Sequence, residues 1–94
     1  MAFFDILRFD TAPVISEDDF RAADTAMQHW CYRNLPGIQR RTTARRQNHW
    51  IVVQLFDDLE HCGAAYLDST DDDVVAWVAM IDRSSVTRET YELF

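Results

Sequence analysis

The chain has 94 residues and a mass of 11.0 kDa, which allows one domain over 1–94 and leaves no room for a second. Apolar residues make up 48% and charged residues 27%, the mixture of an ordinary globular protein, which excludes disorder and collagen-like repeats. Sixteen acids against nine bases give −7, so a phosphate backbone is repelled and nucleic acid is not an expected partner.

Phe3 to Phe9 is aromatic and branched, with Phe3, Leu7 and Phe9 on one face and Phe4 and Ile6 on the other. It reads as a first strand apolar on both sides, ended by Thr11-Ala12-Pro13. Asp5 interrupts the apolar run and no basic lead precedes it, so no export signal is expected. Cys31 and Cys62 are then expected as two reduced, buried thiols of a cytoplasmic protein. Apolar stretches are too short for a bilayer span, so no membrane association is expected.

Ser16 followed by Glu17, Asp18 and Asp19 resembles a capping box with Asp in the Glu place, and starts a helix. Phe20, Ala23, Met27, Trp30 and Asn34 recur at helical steps, and Pro36-Gly37 stops the segment. Ile38 to Arg46 and His49 to Phe56 read as two strands joined by Gln47-Asn48. A two-residue loop there pairs Arg46 with His49, Arg45 with Trp50 and Arg41 with Gln54.

Asp57-Asp58 is expected to cap a helix through Leu59, Cys62, Ala65 and Tyr66. Asp68 to Asp73 interrupts it, and a further helical stretch carries Val74, Trp77, Val78 and Ile81. Ser85 to Phe94 closes the chain as a fourth strand. The order β-α-β-β-α-β predicts the ferredoxin-like α+β fold: a four-stranded antiparallel sheet with both helices on one face. Apolar residues on both faces of the first and third strands imply that a second copy covers the helix-free face, giving a homodimer.

All nine bases are Arg, and their distribution is uneven. Residues 25–56 carry five Arg and no acid, whereas residues 57–73 carry seven acids and no base. Arg40 and Arg46 are expected to meet carboxylates of 57–73 or of a partner subunit. Arg41 and Arg45, on the other strand face, are expected beside Trp50.

Taken together, the acid-capped helix ending in Leu35-Pro36-Gly37, the Arg-rich strand and Trp50-Ile51-Val52-Val53-Gln54-Leu55-Phe56-Asp57-Asp58 resemble the dimeric α+β barrel superfamily, as does Ile81-Asp82-Arg83-Ser84-Ser85-Val86. The likeness is to its antibiotic-biosynthesis monooxygenase-like members. It implies two sheets packed face to face in a dimer and a pocket between each sheet and its own helices. Phe56 stands where such members often have Trp. Tyr66 stands where the haem-degrading branch carries a His, which argues against haem.

Other motifs are sparse. Gly37 and Gly63 are the two glycines, so no phosphate-cradling loop is present. His29, His49 and His61 lack metal-ligand spacing, and the run from Asp68 fails the calcium-loop pattern because Asp73 and Ala79 replace its Gly and Glu. No metal or cofactor is therefore expected.

Two functions compete. In the first, a cofactor-independent monooxygenase-like enzyme acts on an aromatic or polyketide-like compound: Trp30, Trp50, Gln54 and Phe56 line the pocket, Arg41 stabilises an enolate-like anion, and Tyr66 or His61 moves a proton. In the second, a non-catalytic dimeric domain binds a small aromatic or anionic ligand, or serves as an interaction module. A side-chain-filled space between sheet and helices counts against the first.

Overall fold

The computed structural model describes all 94 residues, Met1–Phe94. Four strands form one antiparallel sheet in the order β2-β3-β1-β4: β1 (Phe3–Asp10), β2 (Ile38–Arg46), β3 (His49–Phe56) and β4 (Thr87–Glu92). Two α-helices, α1 (Glu17–Asn34) and α2 (Asp72–Met80), complete the β-α-β-β-α-β order of a ferredoxin-like α+β fold. None of the helices is long and apolar enough to cross a membrane.

Local chemistry explains the element ends. Ser16 is extended, and its hydroxyl accepts from the Asp19 N–H at 3.1 Å, while Glu17, Asp18 and Asp19 place negative charge at the α1 N-terminus. After α1, Gly37 turns the chain at φ +76, and its carbonyl accepts from the Asp57 N–H at 3.0 Å. The β2–β3 register is the expected one, with Arg46 opposite His49 and Arg41 opposite Gln54. Gln47 takes φ 57 while Asn48 stays at negative φ, the sign pattern of a type II′ turn.

The expected helix from Asp57-Asp58 to Tyr66 does not form. Two 3-10 turns, Leu59–His61 and Ala65–Asp68, stand in its place. Asp58 caps the first by accepting from the Glu60 N–H, and the Cys62 N–H closes it on the Leu59 carbonyl. The Gly63 N–H then leaves the helical ladder for the Asp5 carboxylate at 3.2 Å. A tertiary partner thus outcompetes the next α-helical turn. Regular helix resumes at α2, behind an extended Asp71.

The helix-facing side of the sheet holds the core. Leu7, Phe9 and Val52 pack under Phe20, Met27, Trp30 and Cys31 of α1 and under Val74 and Trp77 of α2. Phe9 meets Trp77 edge-on at 5.1 Å, and Phe20 lies 4.4 Å from Trp50. On the other face Phe4, Ile6, Ile51, Val53 and Leu55 form an apolar patch that no helix covers. Phe4 is 37% exposed there, and Tyr91 49%.

Candidate functional site

Strand register places four polar residues in one line beneath the helices. Arg41 lies opposite Gln54, Gln54 opposite Asp5, and Asp5 opposite Thr90, so the line crosses all four strands. Arg41, Gln54 and Asp5 are each 4% exposed or less. Burying such groups costs free energy unless each finds partners.

At the β2 end, the Arg41 guanidinium donates to Asp24 Oδ1 at 2.7 Å, and the Trp77 indole N–H reaches the same oxygen at 3.0 Å. The guanidinium also lies over the Trp77 ring, 5.9 Å from its centroid. The Arg41 backbone N–H donates to the Tyr32 hydroxyl at 2.7 Å, which covers part of this edge strand.

In the middle of the row, Gln54 accepts weakly from the Tyr66 hydroxyl at 3.5 Å and lies 3.9 Å from the Cys31 sulfur. Burial pushes the Cys31 thiol up to about 11. Burial likewise pushes the Tyr66 phenol above its ordinary value, so it stays protonated at neutral pH. Further along, Asp5 receives Arg88 Nε at 2.8 Å, the Gly63 N–H at 3.2 Å and the Thr90 hydroxyl at 3.3 Å.

The residues singled out from sequence divide between three places. Gln54, Phe56, Trp30 and Tyr66 belong to the interior; Trp30 lies 6.3 Å from Tyr66 and donates its indole N–H to Asp71 at 2.8 Å. Trp50 shares their strand face, but it lies six positions from Phe56, about 20 Å along an extended strand. It packs on Phe20 at the hairpin end, with Arg45 5.5 Å above its ring. His61 sits at the corner after β3, bonded to Asp57 at 2.6 Å, a contact that raises its pKa above the ordinary 6.5. No hydrogen bond or ion pair joins Arg41, Tyr66 and His61 to one another.

Arg45 lies over Trp50 as expected, but the ion pairs of the arginines differ from those expected. Arg41 pairs with Asp24 and Arg45 with Glu17, both acids of α1, and Arg41 lies by Trp77 rather than Trp50. The acidic 57–73 stretch instead receives Arg33 at Asp73, 3.8 Å, and Arg83 at Asp68, 3.2 Å. Arg40 and Arg46, on the helix-free face, have no carboxylate partner within the subunit. A helix packed across β2 brings its acids within reach of the helix-facing arginines, and sequence distance says nothing of that.

Asp5, Asp24, Thr90 and Arg88 were missed from sequence. Two signals were there to be read. Asp5 stands on the strand face shared by Phe3, Leu7 and Phe9, and Asp24 falls on the helical stripe of Phe20, Met27 and Cys31.

The space between sheet and helices is packed around Gln54: Trp30, Cys31, Gln54, Phe56 and Leu67 are each 7% exposed or less. The concave surfaces lie outside that packed part. Two are on the helix-free face: about 570 Å³ around Arg8, Arg46, His49 and Ile51, and about 380 Å³ around Phe4, Arg40, Val53 and Leu55. Two more, about 360 and 100 Å³, lie between α1 and the β2–β3 hairpin and share Glu17, Arg45 and Trp50. No group of three His, Cys, Asp or Glu side chains is arranged to hold a metal ion.

Comparison with solved structures shows how widely this fold is shared. A candidate antibiotic biosynthesis monooxygenase from Bordetella bronchiseptica superposes with a TM-score of 0.76 at 12% identity, covering 99% of this chain and 97% of that one. SnoaB, a cofactor-independent oxygenase from Streptomyces nogalater, gives 0.68 at 14% identity, covering 99% and 93%. A dimeric ferredoxin-like protein of unknown function from Jannaschia sp. CCS1 gives 0.67 at 9% identity, covering 99% and 100%. The chain therefore has the fold of the antibiotic-biosynthesis monooxygenase-like proteins. No protein-family model matches the sequence, and no curated protein does.

Proposed function

We propose that this protein is a homodimeric α+β barrel that binds a small aromatic or anionic molecule without transforming it. The observation that carries the reading is the filled interior, where Trp30, Cys31, Gln54, Phe56 and Leu67 occupy the space that an enclosed substrate needs. Proton-transfer groups support it too. Cys31 at about 11 and the raised Tyr66 do not exchange protons near neutrality, and His61 is engaged elsewhere by Asp57.

Dimerisation rests on the helix-free face. A domain of this size buries only about two-thirds of its unfolded surface, and Phe4, Ile6, Ile51, Val53 and Leu55 await cover. Similar chains described as dimeric ferredoxin-like proteins support the same assembly. Light scattering at micromolar concentration is expected to give twice 11.0 kDa, and Val53→Asp, on the patch, to give the monomer. A wild-type monomer refutes the dimer.

A second reading, the cofactor-independent oxygenase, draws on the likeness to SnoaB and on the buried polar row of Arg41, Gln54, Asp5 and Thr90. In it an aromatic or polyketide-like compound supplies the electrons itself: a CH2 is oxidised to a carbonyl by O2, one oxygen atom entering the product and the other leaving as water. Oxygen uptake with a polyketide-like aromatic compound separates the two. The binding reading expects no uptake beyond the protein-free rate. Saturable uptake lost in Arg41→Met and in Gln54→Leu establishes the enzyme.

A further inference from the structure

Strand register sorts the helix-free face into rows that run across the sheet. Arg46, His49 and Asp10 lie abreast at the hairpin end. Arg40, Leu55, Phe4 and Tyr91 lie abreast at the far end, with Val53, Ile6 and Glu89 in the row before them. The face is thus polar at one end and apolar at the other, and Arg40 and Arg46 occupy its two β2 corners. Neither arginine has a carboxylate partner within the subunit. Beside Arg40 is the hollow of about 380 Å³, lined by Phe4, Arg40, Thr42, Val53 and Leu55. On the opposite edge, Tyr91 is bonded to Glu89, which also receives Arg8 Nε at 3.1 Å.

A second copy turns this face onto itself about a two-fold axis lying between the two sheets. An axis across the strands swaps the ends of the face. Arg40 then meets the partner's Arg46, while Leu55 and Phe4 meet the partner's His49 and the partner's Asp10. Either diagonal axis lays one corner arginine on its own copy. An axis along the strands, between β3 and β1, keeps every row and exchanges β2 with β4 and β3 with β1. Leu55 then lies on the partner's Phe4, Val53 on the partner's Ile6, and His49 on the partner's Asp10. Arg40 lies on the partner's Tyr91, with the partner's Glu89 one row away, about 7 Å along the strand. We propose that two copies pair about this third axis, Tyr91 of the partner subunit filling the hollow beside Arg40 and the partner's Glu89 taking the Arg40 charge. The proposal rests on the dimer argued above and deepens it, by fixing its orientation and its ionic contact.

Charge and shape select the same axis. Like charges pressed together in an interface are strongly unfavourable, and the other axes force arginine onto arginine at the corners. Tyr91 is exposed, and Phe4, Val53 and Leu55 give its ring an apolar seat with the Arg40 guanidinium at the rim. Arg8 falls opposite the partner's Ile51, where its aliphatic stem packs while its head stays on Glu89. Arg46, in contrast, falls past the end of β4, which begins one row further along at Thr87. The two free arginines of one face therefore have different roles: Arg40 joins the subunits and Arg46 does not. Because the contact is isologous, each dimer contains it twice.

Charge reversal with mixing tests the orientation, read as dimer Kd by analytical ultracentrifugation of the full chain. Arg40→Glu and Glu89→Arg, each alone, are expected to weaken the dimer about tenfold or more, because each sets like charges together twice. An equimolar mixture of the two variants is expected to recover the dimer to within about threefold of wild type, since in the mixed pair both contacts join opposite charges. Arg46→Glu is expected to dimerise as wild type does. The orientation is overturned if mixing restores nothing, if neither variant weakens the dimer, or if Arg46→Glu weakens it as much as Arg40→Glu. The same contact is read without substitution in a wild-type dimer of one isotope-labelled and one unlabelled chain. Nuclear Overhauser contacts from the Tyr91 ring of one subunit to the Val53 and Leu55 methyls of the other are expected. A dimer without them fails the orientation alone, whereas a wild-type monomer fails the dimer itself.

Discussion

Asp24→Ala is expected to destabilise the protein by about 3–5 kcal/mol, the usual result of stranding one member of a buried ion pair. Arg41 shows 1% of its side chain to solvent and Asp24 14%, so water and salt screen the pair little. Removing the carboxylate takes away the one ionic partner of the guanidinium and the acceptor of the Trp77 indole. The loss is large against the whole, since a chain of 94 residues has roughly 5–14 kcal/mol of stability. Urea unfolding followed by circular dichroism, at fixed protein concentration because a dimer makes stability concentration-dependent, is expected to show a midpoint lower by about 2–3 M. The double variant Asp24→Leu with Arg41→Met removes both charges and is expected within about 1–2 kcal/mol of wild type. An Asp24→Ala protein within about 1 kcal/mol of wild type refutes the reasoning, as does a double variant that costs as much as both single changes together.

Gly37→Ala combines a backbone angle of +76 with a methyl that meets Asp57 Oδ1 and His61 Nδ1 inside contact distance; a loss above about 1 kcal/mol by the same urea assay is expected. The hydrogen bond that His61 donates to Asp57 raises the His61 pKa from 6.5, so its stabilisation is fully present below pH 6.5 and fades as pH rises through the folded-state value. Comparing wild type with His61→Gln between about pH 6 and 8.5 is expected to show this slope in wild type only; equal slopes mean that the pair contributes nothing. Thiol labelling of the native protein is expected to modify Cys62 and spare Cys31, which is fully buried and held near 11; equal rates at the two refute that assignment.

Local and periodic features were legible in the amino-acid order because their causes are local. Ser16 with its three following acids marks a helix start through hydrogen bonds spanning three residues, and Gln47-Asn48 sets the β2–β3 register because a two-residue loop permits one pairing. Apolar residues on both faces of β1 and β3 announced a sheet with two surfaces to cover. The polar row was another matter. Arg41 opposite Gln54 was readable from the hairpin, but Asp5 and Thr90 join the row only once β1 is inserted between β3 and β4. Pairings across so many residues depend on how the helices cross over the sheet, and no local pattern encodes that. The same limit applies to Asp24 with Arg41, whose 2.7 Å contact exists because α1 lies across the edge strand, and to Gly63, whose N–H turns to Asp5 and ends a helix that propensity alone would extend. Short-range hydrogen bonding and side-chain period determined the elements; the packing of one element on another decided which buried charges meet, and so where an open groove remains.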